Sequence, residues 1–78
     1  MIKMNKLEQL VAKNGQAHGT ILGCDGNALS LVCHTKNLLR DTKRWSKEDV
    51  QAYMDIALSS NYDNVIQSCL IVLDMEDE

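Results

Sequence analysis

Apolar positions fall into blocks whose spacing changes along the chain. Ile2, Met4, Leu7, Leu10 and Val11 recur at helical intervals, and Asn14-Gly15 ends that run as a C-cap would. A short amphipathic helix is expected over residues 3–13. The next twelve residues, 15–26, hold Gly15, Gly19, Gly23 and Gly26, all the glycines of the chain. Within them Thr20-Ile21-Leu22 reads as a short strand or an extended, half-buried segment near residues 17–22. A lone strand cannot satisfy its own edge, so this one needs a partner chain, or the segment is a plain loop.

From Ala28 the period is helical again: Ala28, Leu31, Val32, Thr35, Leu38, Leu39 and Thr42 step by threes and fours. Asp25-Gly26 is also a hairpin dipeptide, but a hairpin needs alternating strands on both sides, and HTKNLLRDTKRW breaks the brief alternation of ALSLV. The dipeptide therefore prepares a helix start, with Asp25 or Asn27 as N-cap and the helix running over about 27–43. Ser46-Lys47-Glu48-Asp49 places a capping residue three positions before an acid, close to a capping box. Ser60-Asn61-Tyr62-Asp63 repeats the device. Two more helices are expected, about 47–59 with Val50, Tyr53, Met54, Ala57 and Leu58 on one face, and 61–74 with Val65, Ile66, Cys69, Leu70 and Leu73. A connection this short favours packed neighbours. Cys69 to Leu73 is apolar all round, which calls for cover on more than one side, and a second subunit would supply it. The acids of Asp74-Met75-Glu76-Asp77-Glu78 lie at a helix C-terminus, where the macrodipole disfavours them, so residues 75–78 should fray.

The expected fold class is thus mainly α: one small helical domain over residues 1–78, of three to four helices with a short strand or extended segment near 17–22. The 78 residues contain no proline and no Phe, so the core must come from Leu, Ile, Val and Met. No apolar run approaches the roughly 18 residues of a membrane span, and MIKMNKLEQL has no signal-peptide pattern. Cys24, Cys33 and Cys69 are odd in number and widely spaced, which suits free thiols in a reducing cytoplasm.

Charge changes the picture more. Net charge is -3, but it is segregated. Residues 34–47 carry Lys36, Arg40, Lys43, Arg44 and Lys47 against Asp41 alone, whereas residues 48–78 carry eight carboxylates and no Lys or Arg. Such a division suits an electrostatic binding face or head-to-tail contacts in a homo-oligomer; the alternative is a set of solvated helix faces.

Most catalytic chemistry lacks its residues. The spacings of His18, Cys24, Cys33 and His34 match no zinc motif, and Asp25-Gly26-Asn27 lacks the acidic ladder of a calcium loop. Cys33 with His18 or His34 would be a nucleophile and base only with an orienting third group; Cys33 reads more simply as a small hydrophobe on a packed helix. No P-loop, GxGxxG or paired-carboxylate pattern is present. No enzyme activity, metal or cofactor is expected. The helices flanking Arg44-Trp45-Ser46 invite comparison with a helix-turn-helix, but the would-be recognition helix, KEDVQAYMDIALSS, carries three acids against one Lys. Nucleic-acid binding through the basic helix 34–47 is the disfavoured alternative.

A nucleotide-sized anion fits better. Lys36, Arg40, Lys43 and Arg44, at i, i+4, i+7 and i+8, share a broad helix face with Trp45 at its end. The helix starts at Gly26-Asn27 and Ser60-Asn61 can receive phosphate, and Tyr53 and Tyr62 could stack on a base. A solvated stripe beside a buried Trp45 is the plainer alternative.

ILGCDGNALSLV (21–32), RWSKEDV (44–50) and SSNYDNVIQ (59–67) together resemble a family of short phage and mobile-element proteins. In that family a strand-like segment ends in glycine before an Asp-Gly-Asn-Ala helix start. A Ser-Lys-Glu-Glu-type cap follows, then an acidic Asp-Tyr-Asp corner before the last helix. The likeness covers roughly residues 20–73, with Leu29 in place of an aromatic and Asn61 in place of Asp. It implies a helical fold and a phage-like origin, without an agreed activity. By analogy of origin, small phage proteins without catalytic groups block or absorb part of a host defence. The expectation is therefore a non-enzymatic binding protein in the host cytoplasm. It would occlude a host defence protein or sequester a nucleotide second messenger.

Overall fold

The computed structural model describes residues 2–21, 23 and 26–74. Four helices follow one another as α1 (Ile2–Asn14), α2 (Ala28–Asp41), α3 (Lys47–Ala57) and α4 (Tyr62–Val72). Two-residue strands β1 (Ala17–His18) and β2 (Leu73–Asp74) complete the element order. The architecture is mainly α, as the periodicity predicts.

Side-chain caps start α2, α3 and α4. Asn27 holds an extended backbone and its side chain accepts the Leu29 N–H, so Asn27 caps α2. The alternative cap, Asp25, and the third cysteine, Cys24, lie outside the described residues. Ser46 accepts the Asp49 N–H at 3.1 Å and opens α3; Asn61 accepts the Asn64 N–H at 3.0 Å and opens α4. The helix expected over 27–43 ends at Asp41. Thr42 caps it: its hydroxyl donates to the Leu39 carbonyl and accepts the Arg44 N–H. Lys43 then takes a left-handed φ of 64° and turns the chain toward α3.

The short strand falls within the expected 17–22 segment, at Ala17–His18, and differs from expectation in its partner: it pairs within the chain. β1 runs parallel to β2, with Ala17 opposite Leu73 and His18 opposite Asp74. Consequently the last helix, expected to reach residue 74, stops at Val72. The Gln16 amide donates to the carbonyls of Ile71 and Leu73, satisfying groups freed as the helix gives way to strand. The glycine at position 19 brings the loop after β1 close to α2: a Cβ there would stand 2.7 Å from Leu38 Cδ1. Residues 75–78, expected to fray, lie outside the described residues.

Leu7 and Leu10 of α1, Leu31, Val32 and Leu39 of α2, Val50, Tyr53, Ile56 and Ala57 of α3, and Val65, Cys69 and Val72 of α4 form one core. α4 packs against all three other helices. The cover that its apolar run needs therefore comes largely from its own chain: Cys69, Val72 and Leu73 are buried, Ile71 is half-buried and Leu70 is exposed. A second subunit is not needed to bury this run. No described helix is long and apolar enough to cross a membrane.

Candidate functional site

The α2–α3 corner exists because two caps stand four residues apart, Thr42 closing one helix and Ser46 opening the next. Between them Lys43, Arg44 and Trp45 fix the angle. Arg44 Nε donates to the Asn14 carbonyl at 2.8 Å and its Nη2 to the Gln16 carbonyl at 2.9 Å, binding the C-terminal end of α1. Trp45 packs into the core and donates its indole N–H to the Gly15 carbonyl at 2.9 Å. Asp49, in the first turn of α3, reaches the same place: it accepts from Asn14 Nδ2 at 2.9 Å and pairs with Lys13 at 3.1 Å. The Asn14 amide, then Lys13, hold the Asp49 carboxyl below the ordinary aspartate range.

On the other side of this corner α2 and α3 enclose an open cavity of about 660 Å³. Lys36, Arg40 and Lys43 line one wall, Lys47 the turn, and Trp45, Val50, Gln51 and Met54 the α3 side. Among the described residues no carboxylate lines it and none pairs with any of the four cations. Trp45 and Val50 are buried and Met54 half-buried, so the floor is apolar beneath a basic rim. The start of α3 adds the positive end of its helix dipole, opposed by Glu48 and by an Asp49 whose charge is engaged on the α1 side.

The predicted site residues thus separate. Lys36, Arg40, Lys43 and Trp45 come together in the cavity. Arg44 does not join them: its guanidinium is turned to the α1 carbonyls, because residue 43 reverses the chain direction. Tyr53 is not available to stack on a base. It is fully buried, with its hydroxyl 3.4 Å from Cys69 Sγ, and burial raises its pKa well above the ordinary tyrosine value. Gly26, Asn27 and exposed Tyr62 lie at the opposite end of α2, where a Cβ on Gly26 would come within 3.9 Å of the Tyr62 hydroxyl. The helix is 14 residues long, about 20 Å at 1.5 Å per residue, so this end cannot share a small ligand with Arg40 or Lys43.

Lys47, Val50, Gln51 and Met54 were not among the predicted site residues. Their signal was present in the spacing: Lys47, Gln51 and Met54 stand at i, i+4 and i+7, a face of α3 that continues the basic stripe across the turn.

Cys33 is exposed rather than packed as a small hydrophobe. His34 Nε2 instead contacts the Thr20 carbonyl at 2.8 Å, and His18 lies 3.9 Å from Asp74. Among the described residues no three His, Cys, Asp or Glu side chains gather as a metal site requires. Comparison of the chain with protein-family models, curated proteins and solved structures gave no match. Fold and site together define a small four-helix protein with a basic, apolar-floored cavity at the α2–α3 corner.

Proposed function

We propose that the protein is a non-enzymatic binding protein whose α2–α3 cavity takes up a nucleotide-sized anion. The observation that carries this reading is the union of Lys36, Arg40, Lys43 and Lys47 around the apolar floor of Trp45, Val50 and Met54, in a concavity of small-ligand volume. Four cations on one rim, unpaired among the described residues, repel each other, and a bound anion relieves that repulsion. In a protein resembling those of phages, uptake of this kind would sequester a nucleotide signal of a host defence. The proposed setting is the host cytoplasm.

Thermal melting against a panel of cyclic and linear nucleotides tests the reading. A ligand that binds only the folded state raises the melting temperature, by about 2.7 kcal/mol of added stability at a hundredfold excess over Kd. Lack of a shift with every nucleotide would remove the sequestering role.

A second reading, occlusion of a host protein or self-association, rests on a different surface. Leu29, Leu58, Tyr62 and Leu70 are exposed large apolar side chains, and these are the groups a protein partner would cover. Pull-down from a host lysate, with Leu29→Ser and Leu70→Ser as controls, tests it. Binding to nucleic acid through helix 34–47 predicts affinity that falls steeply with salt.

A further inference from the structure

The arrangement of the four cations narrows the class of anion, on the premise that the cavity binds nucleotides. Lys36, Arg40 and Lys43 are spaced i, i+4 and i+7 along α2 and just past its end. Lys36 and Arg40, one turn apart on α2, keep nearly the same azimuth about 6 Å apart along the axis, and Lys43 follows at the turn beyond the helix end. Lys47 carries the row onto α3. The cations are therefore spread from the α2 wall over the turn to α3, not carried at one point of the chain. A converging cluster suits a single phosphate, whereas a spread one leaves some of its cations unused by it.

Across the cavity the wall is of another kind. Trp45, Val50 and Met54 offer apolar surface, with Gln51 as the neighbouring amide. The Trp45 ring is held in place, because its N–H is bonded to the Gly15 carbonyl. A ligand that fits both walls carries separated negative groups along one edge and a flat apolar body on the other. Inorganic polyphosphate satisfies only the first wall. A nucleoside monophosphate satisfies the second and one end of the first.

We propose that the cavity selects a nucleotide bearing two separated phosphodiester groups, laid along the Lys36–Arg40–Lys43 row with a base against Val50 and Met54. A cyclic dinucleotide and a short single strand share this chemistry.

Calorimetric titration of the full chain with adenosine monophosphate, inorganic tripolyphosphate, cyclic diadenylate and a single-stranded hexa-adenylate tests it. The expected result is that one of the last two binds at least about tenfold more tightly than the first two, as a second charge-assisted phosphate contact requires. Whichever of the pair binds more tightly identifies the source. Lys36→Gln, at one end of the row, should lower that affinity about tenfold while its melting temperature without ligand stays near that of the parent. Monophosphate or tripolyphosphate binding as tightly as the better of the last two probes would overturn the two-phosphate class while leaving an anion site in place. A Lys36→Gln protein that melts normally and binds the preferred ligand as tightly as the parent would overturn it as well. If none of the probes binds, both the class and the cavity reading fall.

Discussion

Trp45 donates its indole N–H to the carbonyl of Gly15 at 2.9 Å, and so joins the cavity floor to the turn that ends α1. The acceptor belongs to a glycine at φ 84°, a left-handed C-cap position, and the Arg44 guanidinium packs over the same turn. Replacing Trp45 with Phe keeps most of the apolar packing and removes the donor. It should lower stability by about 1–3 kcal/mol, the range for leaving such an acceptor unsatisfied, in denaturant melts. Because Trp45 is the single Trp, its fluorescence should also respond to a ligand in the cavity. A titration that changes the melting temperature and leaves the emission untouched would place the ligand elsewhere.

Lys43 occupies the left-handed region at φ 64°, where a side chain costs about 1–2 kcal/mol and glycine is at ease. A lysine there is a poor choice for the turn and a good one for the cavity rim. Lys43→Ala and Lys43→Gly remove the same charge and differ only in backbone freedom. The glycine variant should be the more stable of the two by about 1 kcal/mol, roughly 4–8 °C in a domain of this size. Both should lose the same affinity for the preferred anion. Equal stabilities would show that the turn relaxes when the lysine is removed.

Helices α2, α3 and α4 were legible because each begins with a capping side chain and continues with a clean period: Asn27 before Ala28, Ser46 before Lys47, Asn61 before Tyr62. The basic face was legible in part, since Lys36, Arg40 and Lys43 are local to one helix. What escaped the sequence was long-range. Nothing in Ala17-His18 announces that Leu73-Asp74 will lie beside it, because that pairing joins residues 56 positions apart. The register of Tyr53 on the same face as Val50 and Ala57 did predict burial, yet its ring was also offered to a ligand. Core packing decided between the two. Arg44 was counted with the stripe as though the helix ran on, and the left-handed Lys43 before it aims it at α1 instead.

Asp49 makes stability pH-dependent at the acid end. Its bonds to the Asn14 amide and Lys13 exist for the carboxylate, and they depress its pKa below the ordinary 3.8. A depressed carboxylate contributes stability that is complete above its unfolded value and lost as pH falls through its folded value. Urea midpoints should therefore decline from about pH 4 downward. Asp49→Asn retains a polar side chain but cannot ionise, so its midpoint should start lower at neutral pH and decline less over that window. Parallel declines in the two proteins would assign the acid sensitivity to other groups.

At the alkaline end the corresponding group is Tyr53. Thr35 Oγ1 lies 3.3 Å and the Tyr53 hydroxyl 3.4 Å from Cys69 Sγ, a buried polar knot joining α2, α3 and α4. Burial first, and then the contact with Cys69, push the Tyr53 pKa above its ordinary value of 10.0. A raised pKa contributes stability that is intact below the unfolded value and is lost as pH rises beyond it. The native protein should thus weaken above about pH 10, and Tyr53 should ionise only as the helices melt. In a Tyr62→Phe background, which leaves Tyr53 as the one tyrosine, the tyrosinate absorbance would then rise together with the loss of circular dichroism. Tyr53→Phe removes the titrating group together with the hydroxyl's buried hydrogen bonding to Cys69, Thr35 and Ser68, at a cost of about 0.5–1.5 kcal/mol per bond at neutral pH. It should shift the alkaline melting transition to higher pH relative to its own neutral stability. An unchanged alkaline profile in this variant would show that Tyr53 is not the source of the effect.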